Sequence, residues 1–246
     1  MSQQLIEAFN VRENDLIAIV GGGGKSSLLF ALERSWPQPV VVTTTTRIFA
    51  AQIAQARAHL TLDKIDLLDE HLARHGSCLV IGETHGDKAH GVPIEWPAQL
   101  LTRPSVNLVV VEADGSRMRP VKAPAAHEPV VPPETTLGVI VVGMDALERP
   151  ISETAHRPEL VCQLTGLRPD QTLTPSTLAQ LLAHPAGGMK NMPPSAQIAV
   201  CLNKCETEER QNKAKQVATH LLTYSSIDRV ILTTLQPEVM IYEVVT

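Results

Sequence analysis

Seven aliphatic runs of strand length punctuate the chain: "LIAIV" (16–20), "PVVVTT" (39–44), "CLVIG" (78–82), "NLVVVE" (107–112), "LGVIVVG" (137–143), "QIAVCLN" (197–203) and "RVILTT" (229–234). They read as continuous apolar stretches, the pattern of strands covered on both faces in a parallel sheet. Between several of them the spacing becomes helical. "KSSLLFALERS" puts Leu28, Leu29 and Leu32 on one face, "IFAAQIAQARAHL" repeats Ile48, Ile53, Ala56 and Leu60, and "EERQNKAKQVATHLL" begins charged and ends apolar. Strand alternating with helix predicts βαβ units with right-handed crossovers, hence an α/β fold with a three-layer, mostly parallel sheet. In such a fold, ligands bind where strand carboxyl ends meet loops and helix N-termini.

Two segments interrupt the alternation. Residues 115–136, "GSRMRPVKAPAAHEPVVPPETT", hold five prolines, and residues 184–195, "HPAGGMKNMPPS", hold three prolines and two glycines. Both read as loops, and the first keeps enough charge to suggest a functional lid. No repeat, low-complexity tract or composition shift marks a second domain, so residues 1–246 are expected to form one domain.

The 246 residues are 43% hydrophobic but only 3% aromatic, so the core must be built from Val, Leu, Ile and Ala. Net charge is −5 with no basic stretch, which argues against a nucleic-acid surface. No apolar run has the length of a membrane span, and the N-terminus lacks the order of a signal peptide. A cytoplasmic protein is expected, with no nucleic acid or membrane among its partners. The four cysteines, 78, 162, 201 and 205, make no C-x-x-C pair and read as reduced structural thiols.

The chemistry begins at "IAIVGGGGKSSLLF" (17–30). The full phosphate-loop pattern G-x-x-x-x-G-K-[ST] fails, since Ile19 stands where its first glycine belongs; the shorter G-x-x-G-K-S runs from Gly21 to Ser26. The context is still strand, glycine turn, helix. Gly21, Gly22, Gly23 and Gly24 allow φ > 0 and are expected to turn consecutive N–H groups toward an anion, with the helix N-terminus, Ser26 and Ser27 adding to them. Lys25 supplies a point charge for the β- and γ-phosphates, and Ser26 a hydroxyl for Mg²⁺. The six-residue loop is similar to that of the Mur ligases and to the glycine-rich loops of the dimer-forming ATPase/GTPase branch of the phosphate-loop superfamily. The expected ligand is Mg²⁺ with ATP or GTP.

Three more strand ends carry polar clusters. "VVTTTTRIF" offers Thr45 or Thr46 to the metal shell and Arg47 to the transferring phosphate. "LVVVEADGSR" ends in Glu112 and Asp114, two apart and therefore on one face, either of which can hold the Mg²⁺ shell. "AVCLNKCE" resembles the N-K-x-D base-reading segment of GTPases through Asn203, Lys204 and Glu206, with Glu in place of Asp and Cys205 between.

Together "VGGGGKSSLLF", "TTTTRI", "VEADGSRMRPVKAPAAHEPVVP", "VVGMDALERPI", "HRPELV" and "LNKCE" resemble the YqeC family, the selenium-dependent hydroxylase accessory proteins. The resemblance spans nearly the whole chain. It implies a fold similar to phosphate-loop NTPases and a role in maturing selenium-dependent molybdenum hydroxylases at their cofactor. A molybdopterin-type cofactor and the target hydroxylase are then partners, and a homodimer is compatible. The Pro-rich loop interleaves Arg117, Arg119, Lys122, His127 and Glu128, which could grip a second anionic ligand; a dimer contact or a solvated loop are the alternatives. His156 and Arg157 could reach the same crevice or form a surface patch. His71 with His75, and His85 with His90, lack a cysteine at zinc spacing, and a solvated helix face accounts for the first pair. Three activities stay open: nucleotide hydrolysis or phosphoryl transfer, a nucleotide-switched adaptor or cofactor carrier, and a ligase-like activation through a phosphorylated intermediate.

Overall fold

The computed structural model describes residues 2–85 and 88–246. Nine strands form the main sheet among them: β1 (Asp15–Gly21), β2 (Val40–Thr44), β3 (His59–Thr61), β4 (Ser77–Ile81), β5 (Leu108–Glu112), β6 (Leu137–Gly143), β7 (Gln197–Asn203), β8 (Arg229–Thr234) and β9 (Met240–Val245). Their spatial order is β9-β8-β7-β6-β1-β5-β2-β4-β3, and every pairing is parallel except β8 with β9. The α-helices of six or more residues among the described residues are α1 (Ser2–Phe9), α2 (Lys25–Ser35), α3 (Leu68–His75), α4 (Trp96–Leu101), α5 (Pro158–Thr165), α6 (Pro175–Ala183) and α7 (Glu208–Leu221).

Two cores lie on opposite sides of the sheet and make three layers. On β1, Ile17 and Ile19 face a core built with Leu5 and Phe9 of α1 and Leu28 and Leu32 of α2. Leu16, Ala18 and Val20 face the other core, with Leu72 of α3, Leu100 of α4, Leu178 of α6 and Val217 of α7. The two-residue period of a strand divides each continuous aliphatic run between two apolar layers, which explains why the runs show no polar alternation.

From β1 the chain builds outward through β2 and β4, with β5 returning between β1 and β2. It then reverses, adding β6, β7 and β8 on the opposite side. The reversal lies between β1 and β6, the switch point where α/β sheets bind ligands at strand carboxyl ends.

Two expectations need correcting. The stretch 48–60 is not one helix. It is a two-residue strand, Ile48–Phe49, a four-residue helix, Ala50–Ile53, and a turn leading into β3. Its repeat of Ile and Ala supplies too narrow an apolar stripe to hold a long helix on the sheet, and pairing of His59–Thr61 with β4 prevails. The loop 115–136 also carries a short strand, Val121–Lys122, in parallel register with Ala155–His156.

Candidate functional site

The four glycines form the bend between β1 and α2, and each is required sterically. A Cβ on Gly21 would stand 2.2 Å from the Val141 carbonyl oxygen, and one on Gly22 2.5 Å from that of Arg119. On Gly23 it would meet the Gly143 nitrogen at 2.3 Å, and on Gly24 the Asn203 amide nitrogen at 2.3 Å. Three of the four have positive φ, at 100°, 72° and 139° for Gly21, Gly23 and Gly24.

The bend does not aim all its amides outward, as the glycine run suggested. Gly21 N–H donates to Asp114 Oδ2 at 3.1 Å, Gly22 N–H to the Val141 carbonyl at 2.8 Å, and Gly23 N–H to the Arg119 carbonyl at 3.0 Å. The glycines are needed for close approach to β6 and to the 115–120 turn. The first helical hydrogen bond of α2 runs from Leu28 N–H to Gly24 carbonyl, at 2.9 Å. The N–H groups of Gly24, Lys25, Ser26 and Ser27 donate to no acceptor among the described residues. These are the four orphan donors of the helix N-terminus.

Lys25 points back along the bend. Its ammonium donates to the Gly21 carbonyl at 3.0 Å and lies 3.3 Å from Asp114 Oδ1 and 3.6 Å from Glu112 Oε1. Lys25, Glu112 and Asp114 are 4%, 8% and 2% exposed. Burial alone would lower the lysine pKa, but the two carboxylates outweigh it and hold the group protonated. Ser26 Oγ donates to Glu112 Oε2 at 2.7 Å and accepts a short hydrogen bond from Gln52 Nε2. Glu112 sits in register with Ile19 on one side and Thr44 on the other, and this places it beside the loop.

Asp114 joins the loop to a second set of charges. Its Oδ2 lies 3.0 Å from the Lys122 ammonium, which donates to Glu128 Oε2 at 2.8 Å and to the Gly115 carbonyl at 2.7 Å. Arg157 donates to the same Glu128 oxygen at 2.7 Å. The chain Lys25–Asp114–Lys122–Glu128–Arg157 thus alternates in sign through a mostly buried region. Burial would raise the Glu128 pKa, but Arg157 and Lys122 bring it down to about 2. Burial, with the charges of Arg157, Lys122 and Arg117, lowers His156 to about 4, so the imidazole is neutral near pH 7.

Asn203 staples the far side of the bend. It donates to the Gly23 carbonyl at 2.7 Å and accepts from Leu235 N–H at 3.0 Å. Beyond it, Lys204 pairs with Asp145 and Glu206 with Arg210. Cys205 is fully buried, donates to the Leu202 carbonyl at 3.2 Å, and is pushed up to about 12 by burial.

The remaining sequence candidates are less closely gathered. The Thr45 hydroxyl donates to the Val130 carbonyl at 2.6 Å, and the Thr46 hydroxyl lies 3.4 Å from that of Thr44. Arg47 is exposed. Arg117 and His127 are exposed, whereas Lys122 and Glu128 belong to the internal charge chain. Arg119 gives its carbonyl to Gly23 and its guanidinium to the Glu153 carbonyl. The rings of His71 and His75 meet at a 45° tilt with centroids 5.9 Å apart; the side chain of His85 lies outside the described residues. Sequence reasoning missed Gln52, because its segment read as a long helix, and Arg210, which matches no motif; Asp145 and Glu148 lie in the quoted "VVGMDALERPI" segment but were given no role there.

Among the described residues no group of three His, Cys, Asp or Glu stands at metal-holding geometry. Asp114 Oδ1 is nonetheless buried without a directed hydrogen bond, and Ser26 Oγ already adjoins Glu112. This donor set suits a divalent cation that brings most of its oxygen ligands with it. No helix among the described residues is long and apolar enough to cross a membrane.

A glycine bend at the switch point, a Lys-Ser helix start and two acids on the adjoining strand belong to an α/β protein of phosphate-loop NTPase-like architecture. Residues 17–159 match the YqeC protein family. The chain is 33% identical over 215 residues to the Escherichia coli (strain K12) protein named "Uncharacterized protein YqeC", covering 82% of this chain and 81% of that one. The chain belongs to the YqeC family.

Proposed function

We propose that this protein binds a Mg²⁺-complexed nucleoside triphosphate, ATP or GTP, at the start of α2 and uses it in maturing selenium-dependent molybdenum hydroxylases at their cofactor. The observation that carries the nucleotide half is the set of four orphan N–H groups, Gly24 to Ser27, beside the buried Lys25 ammonium. Backbone donors and the helix dipole share one surface, and the Lys25 ammonium is buried beside it against Asp114 and the Gly21 carbonyl, an arrangement that suits a polyphosphate toward which the lysine can turn. The maturation half rests on family membership.

In this reading the Lys25 ammonium leaves Asp114 and the Gly21 carbonyl for the β- and γ-phosphates. Ser26 and one or both of Glu112 and Asp114 hold the Mg²⁺, which offsets phosphate charge, and Thr45 and Thr46 approach from the neighbouring strand end. The exposed Arg47 is free to turn toward the transferring group. Arg117 and His127 remain for a second anionic ligand on the Pro-rich loop. An adaptor reading draws on Met118, 92% exposed between two arginines on a turn with positive φ at Arg117 and Met118, a tip suited to a partner.

The test is equilibrium binding of Mg·ATP and Mg·GTP to the wild type and to Lys25→Ala. Loss of about 100-fold or more in affinity in the variant is expected, from removal of a buried charge-assisted contact. Equal binding by both proteins would remove the lysine from the account. Phosphate release with and without a molybdenum hydroxylase then separates enzyme from adaptor.

A further inference from the structure

The segment after β7 is zipped to the residues that follow β6. Lys204 Nζ lies 2.7 Å from Asp145 Oδ2. Glu206 Oε2 accepts from Arg210 Nη1 at 2.8 Å, one turn further along in α7. The same guanidinium donates from Nε and Nη2 to the two oxygens of Glu148, at 2.6 and 3.1 Å, and from Nη1 toward the Lys204 carbonyl at 3.4 Å. Both charged side chains that could touch a base are thus already committed, and Asn203 is spent on Gly23 and Leu235.

The chemistry of base reading gives this weight. A carboxylate selects guanine by accepting from its ring N1–H and exocyclic amino group, two donors on one edge. Adenine presents an acceptor at N1, which repels a carboxylate, and a single amino donor beside it, so it lacks the paired donors of guanine. Here the carboxylate is on a longer arm than aspartate and faces a cation. A partly exposed Glu–Arg pair four residues apart, with Glu206 just before the helix and Arg210 in its first turn, is weak, roughly 0.2–1 kcal/mol, and alone would yield to a base. The guanidinium does not depend on it, however. Glu148 grips it through two near-parallel bonds, the strong geometry for arginine, so it stays beside the loop even when Glu206 moves.

We infer that this loop does not read the base: the site takes nucleoside triphosphates through their phosphates, and Arg210 is the residue that denies it guanine selectivity. The inference rests on the nucleotide reading above and deepens it by naming the ligand class.

The test is competition of ATP, GTP and ITP, each with Mg²⁺, against a fluorescent ATP analogue. ITP lacks the exocyclic amino group and so reports on that contact. On wild type the three affinities are expected within about threefold of one another, under 0.7 kcal/mol. A carboxylate-reading pocket would instead favour GTP by about 100-fold or more, as sites built around a buried hydrogen bond do. In Arg210→Met, with folding checked by thermal melting, GTP is expected to gain about tenfold over ATP and ITP as Glu206 is freed. A wild-type GTP preference above about tenfold overturns the inference. So does equal binding on wild type with an unmoved ratio in the variant. If none of the three triphosphates binds wild type, the nucleotide reading itself fails, and this inference with it.

Discussion

Asp114→Asn tests the charge chain at its centre. The native carboxylate is 2% exposed and meets three donors: Gly21 N–H at 3.1 Å, Lys122 Nζ at 3.0 Å and Lys25 Nζ at 3.3 Å. Asparagine keeps the shape and one acceptor oxygen, so packing is nearly constant; the change removes the charge and turns the other oxygen into an N–H donor that faces a donor. Removing one partner of a buried pair costs about 3–5 kcal/mol when the other is left alone. Neither lysine is left alone here. Lys25 keeps Glu112 at 3.6 Å and the Gly21 carbonyl at 3.0 Å, and Lys122 keeps Glu128 at 2.8 Å and the Gly115 carbonyl at 2.7 Å. The expected loss is therefore at the lower end, about 2–4 kcal/mol, from weakening two charge-assisted contacts. Urea unfolding followed by circular dichroism should show a lower midpoint at unchanged slope. A second variant, Asp114→Asn with Lys122→Met, removes the under-paired cation as well. It should lose less than the sum of the two single variants, with a coupling of about 1–3 kcal/mol. A loss below about 0.5 kcal/mol for Asp114→Asn, the range of ordinary surface changes, would refute the claim that this carboxylate holds the two segments together.

Three further outcomes are expected. Gly24→Ala puts a methyl 2.3 Å from the Asn203 amide at φ 139°, and should cost about 1–3 kcal/mol in unfolding experiments while lowering triphosphate affinity; wild-type values for both would contradict the bend geometry. The folded-state pKa of His156, about 4, lies below its usual 6.5, so between those values the unfolded chain binds more protons and stability falls on acidification from pH 6.5 toward 4. Glu128, lowered to about 2, adds a further loss as pH falls below about 4.5. His156→Gln should flatten the upper part of the unfolding-midpoint profile and leave the lower part; an unchanged profile would exclude His156 as its source. Cys78, Cys201 and Cys205 are fully buried and pushed up to about 12, chiefly by burial, so a thiol reagent should label only the partly exposed Cys162 quickly in the native protein; rapid labelling of Cys205 would show that its loop opens.

The seven aliphatic runs were legible as strands because each is buried on two faces and needs no partner's identity to be seen. β3 and β9 were not. β3 has only three residues, and β9, at the sheet edge, is half-exposed on both faces and carries no continuous apolar run. At the site, the order of residues indicated that Gly21 to Ser26, Glu112 and Asp114 converge, because strand ends in a parallel sheet meet at one edge. It could not reveal the direction of each amide. Three glycine N–H groups are drawn inward by a carboxylate and two carbonyls, and only the fold brings those acceptors near. The Pro-rich loop shows the same limit from the other side. Lys122 and Glu128 were candidates for a second anionic ligand, yet in the fold Lys122 pairs with Asp114 and Glu128 with Arg157, partners that the order of residues did not assign to them.

The central claim is that the start of α2 holds a triphosphate. A crystal structure with Mg²⁺ and a non-hydrolysable ATP analogue tests it most directly. The account predicts phosphate oxygens on the N–H groups of Gly24 to Ser27 and the Lys25 ammonium moved off Asp114. A nucleotide bound elsewhere, or Lys25 still held between Asp114 and the Gly21 carbonyl with those four amides bare, would contradict it.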